Sequence, residues 1–462
     1  MEQTTAKKNK YEIDMCNGTI MDKLISFSLP LMLSGILQLM FNAVDIIVVG
    51  RFSGSQALAA VGSTSALINV FTNLFIGISL GANVLTARFY AAGREKEVSE
   101  TVHTAVTLAL VSGIIMALVG LVFSKGALAL MGTPDDVIGL SALYMRIYFL
   151  GMPFFMLYNY GAAILRAVGD TKRPLLFLMI AGVINACLNM VLVIVFKLGV
   201  AGVAIATVIS QMISCVLVLR CLYRSESSYR LRFSELGMKG YYLKQIFSVG
   251  VPAGIQSTVI NFSNVLLQSS VNSFGSTAMA GYTAANNLLG FLYVSVNSIT
   301  QACMSFTSQN YGVGKLKRMD RVLADCMILS VVVAVALGCI CYGFGPEILQ
   351  IYTEDAEVIA CGMEILAYTT ITYFLCGWMD LFPGALRGMG YSAVPMVLSV
   401  IGTVGTRVVW IFGIFPYHRS LAILFISYPA SWIITIVLQV ICFYFVRRRV
   451  HRRSQALAGQ EA

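Results

Sequence analysis

Asp45 is a carboxylate set inside an apolar run, with Val44 before it and Ile46, Ile47, Val48 and Val49 after it. A charged carboxylate deep in a membrane span costs about 2.5–3.5 kcal/mol on insertion scales. Such a group must face protein or a water-filled cavity, where it can trade a proton for a cation. Ser34, Gln38, Asn42 and Asp45 are spaced 4, 4 and 3 residues apart, which puts them on one helical face. Ser257, Asn261, Asn264 and Gln268 repeat that face at spacings of 4, 3 and 4, without an acid. Two readings of Asp45 stand side by side: proton or cation chemistry, or a static hydrogen bond or ion pair that holds helices together.

Other polar residues fall inside apolar runs. Asn185 and Asn189 are spaced i, i+4; they could offer amide oxygens to a cation, hold Asp45 by hydrogen bonds, or simply pack helices. Thr207 could donate to a carboxylate or bond its own helix backbone. Asp380 is a second internal acid, open to a proton or substrate role or to pairing with Arg387. Arg407 is buried by position and needs a partner, with Asp380 and Glu364 as candidates for a structural ion pair. Gln38, Asn264, Tyr293, Asn297, Asp380 and Arg407 together mark a second site or substrate path. Aromatic and Met side chains, among them Tyr148, Phe154, Phe155, Met156, Tyr368, Tyr373 and Trp378, suit a tolerant cavity for organic cations and equally suit plain packing.

The elements that must position these groups are membrane helices. The 462 residues are 58% hydrophobic and 12% charged. Twelve apolar stretches are long enough to cross a hydrocarbon core of about 30 Å: 24–49, 57–88, 101–123, 137–162, 175–196, 199–222, 244–271, 279–309, 322–344, 358–382, 393–415 and 421–446. In lipid such runs must be helices, because every backbone polar group needs an internal partner. The expected organisation is a cytoplasmic tail over 1–23, an N-lobe over 24–222, a linker over 223–243, a C-lobe over 244–446 and a basic cytoplasmic tail over 447–462.

The net charge of +10 is not one basic patch, which excludes nucleic acid as a partner. With the N-terminus inside, 26 Lys and Arg fall on inward segments and four on outward loops, which satisfies the positive-inside rule with both termini cytoplasmic. The eleven cysteines form no CxxC, and the three histidines have no His or Cys partner nearby. Neither a disulfide framework nor a structural metal site is expected; the metal chemistry left open is a transient Na⁺ at Asp45.

The chain also says the same thing twice. Tyr90-Ala-Ala-Gly93 recurs as Tyr311-Gly-Val-Gly314, and Leu165-Arg166-Ala-Val-Gly169 recurs as Leu386-Arg387-Gly-Met-Gly390, each 221 residues on. The earlier pairs Pro30/Pro252 and Asn42/Asn264 are offset by 222. Six spans per half give both halves the same orientation, so the repeat is parallel. The fold class is an all-α polytopic membrane protein, with twelve transmembrane helices in two six-helix bundles related by a parallel internal repeat.

These residues resemble the multidrug and toxic compound extrusion (MATE) transporters of bacterial type. The resemblance rests on Pro30, Asn42-x-x-Asp45 and Gly50 of the first span, Leu165 to Pro174 after the fourth, Asn185-x-x-x-Asn189 in the fifth, and Leu386-Arg-Gly-Met-Gly390 after the tenth. It implies a secondary active antiporter in a bacterial inner or plasma membrane, exporting organic cations or drugs in exchange for inward H⁺ or Na⁺ by alternating access of two lobes. It further implies that Asp45 is the coupling residue, with Asn42, Asn185, Asn189 and Thr207 around it. No cofactor beyond the coupling ion is expected, and the working unit is a monomer in the lipid bilayer. The chain departs from many relatives in carrying Asn189 where they carry an acid.

Two rival functions make different demands on the sequence. A flippase of lipid-linked oligosaccharides needs a more cationic cavity, and Arg146 and Arg407 are the basic residues inside spans. A membrane-embedded enzyme needs convergent nucleophile, acid and base groups; no such cluster and no HExxH is visible in the sequence.

Overall fold

The computed structural model describes residues 10–458; the outermost parts of the two expected tails lie outside the described residues. All regular elements among the described residues are helical. The first half comprises α1 (Met21–Phe52), α2 (Ser55–Ala91), α3 (Glu95–Leu130), α4 (Asp135–Leu150), α5 (Met152–Ala167), α6 (Lys172–Met190) and α7 (Gly199–Tyr223). The second comprises α8 (Gly240–Asn272), α9 (Ser276–Gly312), α10 (Leu316–Gly343), α11 (Gly345–Gln350), α12 (Ala356–Thr369), α13 (Tyr373–Gly388), α14 (Ala393–Ser399), α15 (Thr406–Val409) and α16 (Leu421–Ala458). π-Helical turns extend α6 over Val191–Val195 and flank α15 at Val400–Gly405 and Trp410–Ile414.

These helices occupy the twelve span positions read from the sequence. Eight are long and apolar enough to cross a membrane, and two bent pairs raise that to ten among the described residues. α8 and α9, 33 and 37 residues long, have the length but fall short in apolarity. The polar stripe of Ser257, Asn261, Asn264 and Gln268 dilutes the first, and Asn286, Asn287, Asn297 and Gln301 dilute the second.

Spans four and ten are not the single straight helices expected. α4 and α5 meet at 47°, α12 and α13 at 50°. Pro153 follows the first break; it has no N–H to donate, and its ring crowds the carbonyl one turn back. The second break has neither Pro nor Gly. There Thr370 donates to the Leu366 carbonyl at 2.6 Å and Thr372 to that of Tyr368 at 2.8 Å, and such back-bonding bends helices.

The chain forms two compact units. The first holds residues 10–14 and 33–254 of the described chain, the second 15–32 and 255–458. The division falls two residues after Pro30 in α1 and two residues after Pro252 in α8, so each of these helices contributes to both units. In the first unit α2 and the start of α8 touch closely: a Cβ on Gly77, Gly81, Gly250 or Gly254 would collide with the opposing backbone. Small residues allow this approach in membrane helix pairs.

The segments outside the spans are built into the units. In the first, the Glu12 carboxylate accepts from Tyr229 at 2.7 Å and from Tyr90 at 2.8 Å, and Tyr229 and Leu231 are fully buried. In the second, Met15 is buried and its carbonyl accepts from Asn310 at 3.1 Å. Lys315 donates to the Cys16 carbonyl at 2.9 Å.

Candidate functional site

The first unit brings α1, α6 and α7 together around Asp45. A side chain at Gly182 of α6 would collide with the ring of Phe41 of α1; the missing Cβ lets the ring lie against the α6 backbone. One turn further along α1 comes Asp45, and two turns further along α6 comes Asn189. Asp45 and Asn189 are 9% and 0% exposed, so their polar atoms must be satisfied by protein or by a bound species.

Asn189 Nδ2 donates to Asp45 Oδ1 and, at 3.2 Å, to Asn185 Oδ1. Asn189 Oδ1 is buried with no hydrogen-bond partner. Thr207 Oγ1 lies 3.5 Å from Asp45 Oδ2 but 3.0 Å from the Val203 carbonyl. A hydroxyl has one proton, and the shorter contact to Val203 takes most of it. Asp45 therefore keeps one well-satisfied oxygen and one weakly satisfied oxygen. No basic side chain forms an ion pair with Asp45 among the described residues. The phenols of Tyr144 and Tyr148, ring-stacked at 6.1 Å, lie within electrostatic reach of it. A buried carboxylate, a hydroxyl and two amide oxygens form a hard-oxygen donor set suited to a small cation such as Na⁺, and a protonated carboxyl satisfies the same place without one.

Not every expected neighbour joins this cluster. Asn42 and Gln38 are exposed, and neither hydrogen-bonds Asp45 among the described contacts. They continue the polar face of α1 away from the acid. A cavity of about 670 Å³ at the start of α6 is lined by Lys10, Arg173, Arg220 and Arg224; Asp45 is not part of it.

The second unit holds two polar clusters. In one, Tyr293 of α9 lies beside both Asp380 of α13 and Asn297 of its own helix. Asn297 accepts from Gln301 at 3.1 Å, Asp380 is within electrostatic reach of Arg387, and Arg387 donates to Gln256 at 2.7 Å. In the other, Arg407 of α15 donates to Asn264 at 2.7 Å, Ser263 at 3.3 Å and Ser431 at 3.4 Å, with its guanidinium 4.7 Å from the Tyr428 ring centre.

This corrects two expectations. Arg407 pairs with neither Asp380 nor Glu364: among the described residues no carboxylate lies within ion-pair distance of it. α15 turns it toward α8 and α16, whereas Asp380 faces α9 and Arg387. Arg146, read as buried in span four, is exposed near the end of α4.

A family model described as MatE matches residues 30–191 and 252–412. The chain belongs to the MatE family.

The two matched stretches fall in the two halves of the internal repeat. A Bacillus subtilis relative, a probable multidrug resistance protein named YoeA, is 31% identical over 434 residues, covering 92% of this chain and 93% of its own. The multidrug export protein MepA of Staphylococcus aureus is 22% identical, covering 82% of this chain and 84% of its own. Among solved structures, a crystal structure of MATE in complex with MaL6 superposes with a TM-score of 0.88 at 20% identity, over 97% of this chain and 100% of the other. An outward-facing multidrug resistance MATE transporter gives 0.87 at 19%, with the same coverage. This MatE protein is thus a multi-pass membrane protein of a multidrug efflux transporter family, with twelve membrane-spanning segments in two bundles.

Several residues of this MatE protein escaped the sequence reading. Tyr144 is four residues before Tyr148, so helical spacing from a named residue would have found it. Tyr428 and Ser431 lie 221 residues after Thr207 and Ser210; following the repeat through the last span would have found them. Ser263 and Gln256 carried no signal of their own.

Proposed function

We propose that this protein is a secondary active antiporter that exports organic cations or drugs in exchange for inward H⁺ or Na⁺, by alternating access of its two lobes. The observation that carries the reading is Asp45: a buried carboxylate without an ion-pair partner among the described residues, beside an amide oxygen that is itself unsatisfied among them. Low dielectric favours the protonated carboxyl, and a bound cation favours the charged one. Proton, Na⁺ and an organic cation therefore compete for one group, and competition is what coupling requires. Binding shifts inward-open and outward-open populations only by its differential affinity for them.

In this reading Asp45 is the coupling residue. Asn189, Asn185 and Thr207 shape the ion site, and Asn42 and Gln38 line the polar approach along α1. Tyr293, Asn297 and Asp380 form a second polar path in the other unit. The 26-to-4 distribution of basic residues supports cytoplasmic termini, and the relatives' organisms support a bacterial plasma membrane. The protein works as a monomer and needs no cofactor besides its coupling ion.

The test is uptake of a fluorescent organic cation into inverted vesicles, with a pH gradient and then a Na⁺ gradient imposed. Wild type accumulates dye under one gradient, which names the ion. Asp45→Asn, present at wild-type level and folded, does not. Gradient-driven uptake at the wild-type rate by Asp45→Asn would overturn the proposal.

A further inference from the structure

The buried charge of the second unit is opposite in sign to that of the first. Arg407 is 3% exposed, and its surroundings are Ser263, Asn264, Ser431 and the ring of Tyr428. Among the described residues, the ionisable groups that act on it most strongly are the phenols of Tyr428, Tyr282 and Tyr373 and the thiol of Cys376, all neutral when protonated. A buried guanidinium without an acid is an incomplete ion pair, as costly to a membrane protein as a lone carboxylate.

The internal repeat places this group with care. At the offset of 221, Arg407 corresponds to Ala186, next to Asn185; Tyr428 corresponds to Thr207 and Ser431 to Ser210. At the offset of 222, Asn264 corresponds to Asn42. The same helices that surround a carboxylate in one half surround a guanidinium in the other. π-Helical turns lie beside both: Val191–Val195 follows Asn189, and Val400–Gly405 and Trp410–Ile414 bracket Arg407. Such turns break regular helix hydrogen bonding and recur at functional sites.

We propose that Arg407 is a specificity-determining residue, whose guanidinium is the anion site for the carboxylate of aromatic cargo that carries one. This rests on the export reading above. The partners of Arg407 suit an anion: the hydroxyls of Ser263 and Ser431 can rotate to donate, and the Asn264 amide can turn its N–H₂ toward an incoming carboxylate. Tyr428, with its hydroxyl 2.9 Å from that of Tyr282, offers a ring face to an aromatic cargo and a second polar handle. Access runs along α8, where Ser257, Asn261 and Gln268 are exposed and Asn264 is half-buried. Polar side chains at these depths mark a water-accessible face rather than a lipid face.

The test uses the full chain in lipid nanodiscs and two dyes that differ only in one group: rhodamine B, whose carboxylate is free, and its ethyl ester, a plain cation. Binding is read by fluorescence polarisation. Arg407→Gln weakens rhodamine B about tenfold or more, the size of losing a charge-assisted hydrogen bond, and changes the ester by less than about twofold. Arg407→Lys, which keeps the charge and guards against a folding defect in the glutamine variant, keeps part of the preference for the acid. If either variant weakens both dyes equally, Arg407 is a packing residue and the anion site is overturned, while the export reading stands. If Arg407→Gln binds rhodamine B as wild type does, the anion site is likewise overturned. If wild type binds neither dye, the export reading falls and this inference with it.

Discussion

The ring of Phe41 fills the place that a side chain on Gly182 would take. This contact sets how closely α1 and α6 approach, and so whether Asn189 can reach Asp45. Gly182→Val should push the helices apart. Overpacking costs about 1–3 kcal/mol, so thermal unfolding in detergent should fall by several degrees while dye uptake is lost. Adding Phe41→Ala makes room, and the double variant should recover stability relative to Gly182→Val. Failure of the double variant to recover would mean that the contact does not control helix spacing.

Asn189 and Asn185 differ in what they do for Asp45. Asn189 donates to the carboxylate, whereas Asn185 only accepts from Asn189. A hydrogen bond to a charged group is worth about 1.5–3 kcal/mol. Asn189→Ala should therefore slow gradient-driven uptake by about tenfold to a hundredfold, and Asn185→Ala by clearly less. Equal losses would place both asparagines in the ion site on the same footing.

Gly169 and Gly390 are repeat partners, both with positive φ, at 97° and 92°. An L side chain is strained at either position. At Gly169 an added Cβ also meets the Ile13 backbone, whose N–H donates to the Gly169 carbonyl at 3.3 Å. Gly169→Ala should thus destabilise by about 1 kcal/mol beyond the strain of its positive φ, and expose residues 10–14 to limited proteolysis. A melting temperature and a protease sensitivity equal to those of wild type would contradict this.

The anchor of Glu12 carries a pH dependence. Burial, and then the hydrogen bond to Glu12, raise the proton affinity of the Tyr229 hydroxyl above that of an ordinary tyrosine. The folded state therefore holds this proton where the unfolded chain loses it. Stability from this group is fully present below the ordinary tyrosine range, near pH 10, and declines as pH rises above it. Wild type should lose protease protection of the N-terminal segment above that range. Tyr229→Phe should be less protected at neutral pH and show a flatter profile.

Sequence alone determined the membrane class, the parallel duplication and the twelve span positions, and it singled out Asp45 as the candidate. Each follows from a one-dimensional quantity: apolar length, repeat offset, the alternation of basic loops, or an acid in an apolar run. Helical spacing also placed Asn185 and Asn189 on one face. Tertiary structure decided what spacing cannot express. It chose Asn189 over Asn42 as the partner of Asp45, because the contact depends on how α1 and α6 are rotated against each other at Phe41 and Gly182. It bent spans four and ten through local backbone chemistry that hydropathy does not register. It also left Arg407 among serines, an asparagine and tyrosines rather than beside an acid, because a partner for a buried charge is chosen by the neighbouring helices and not by distance along the chain.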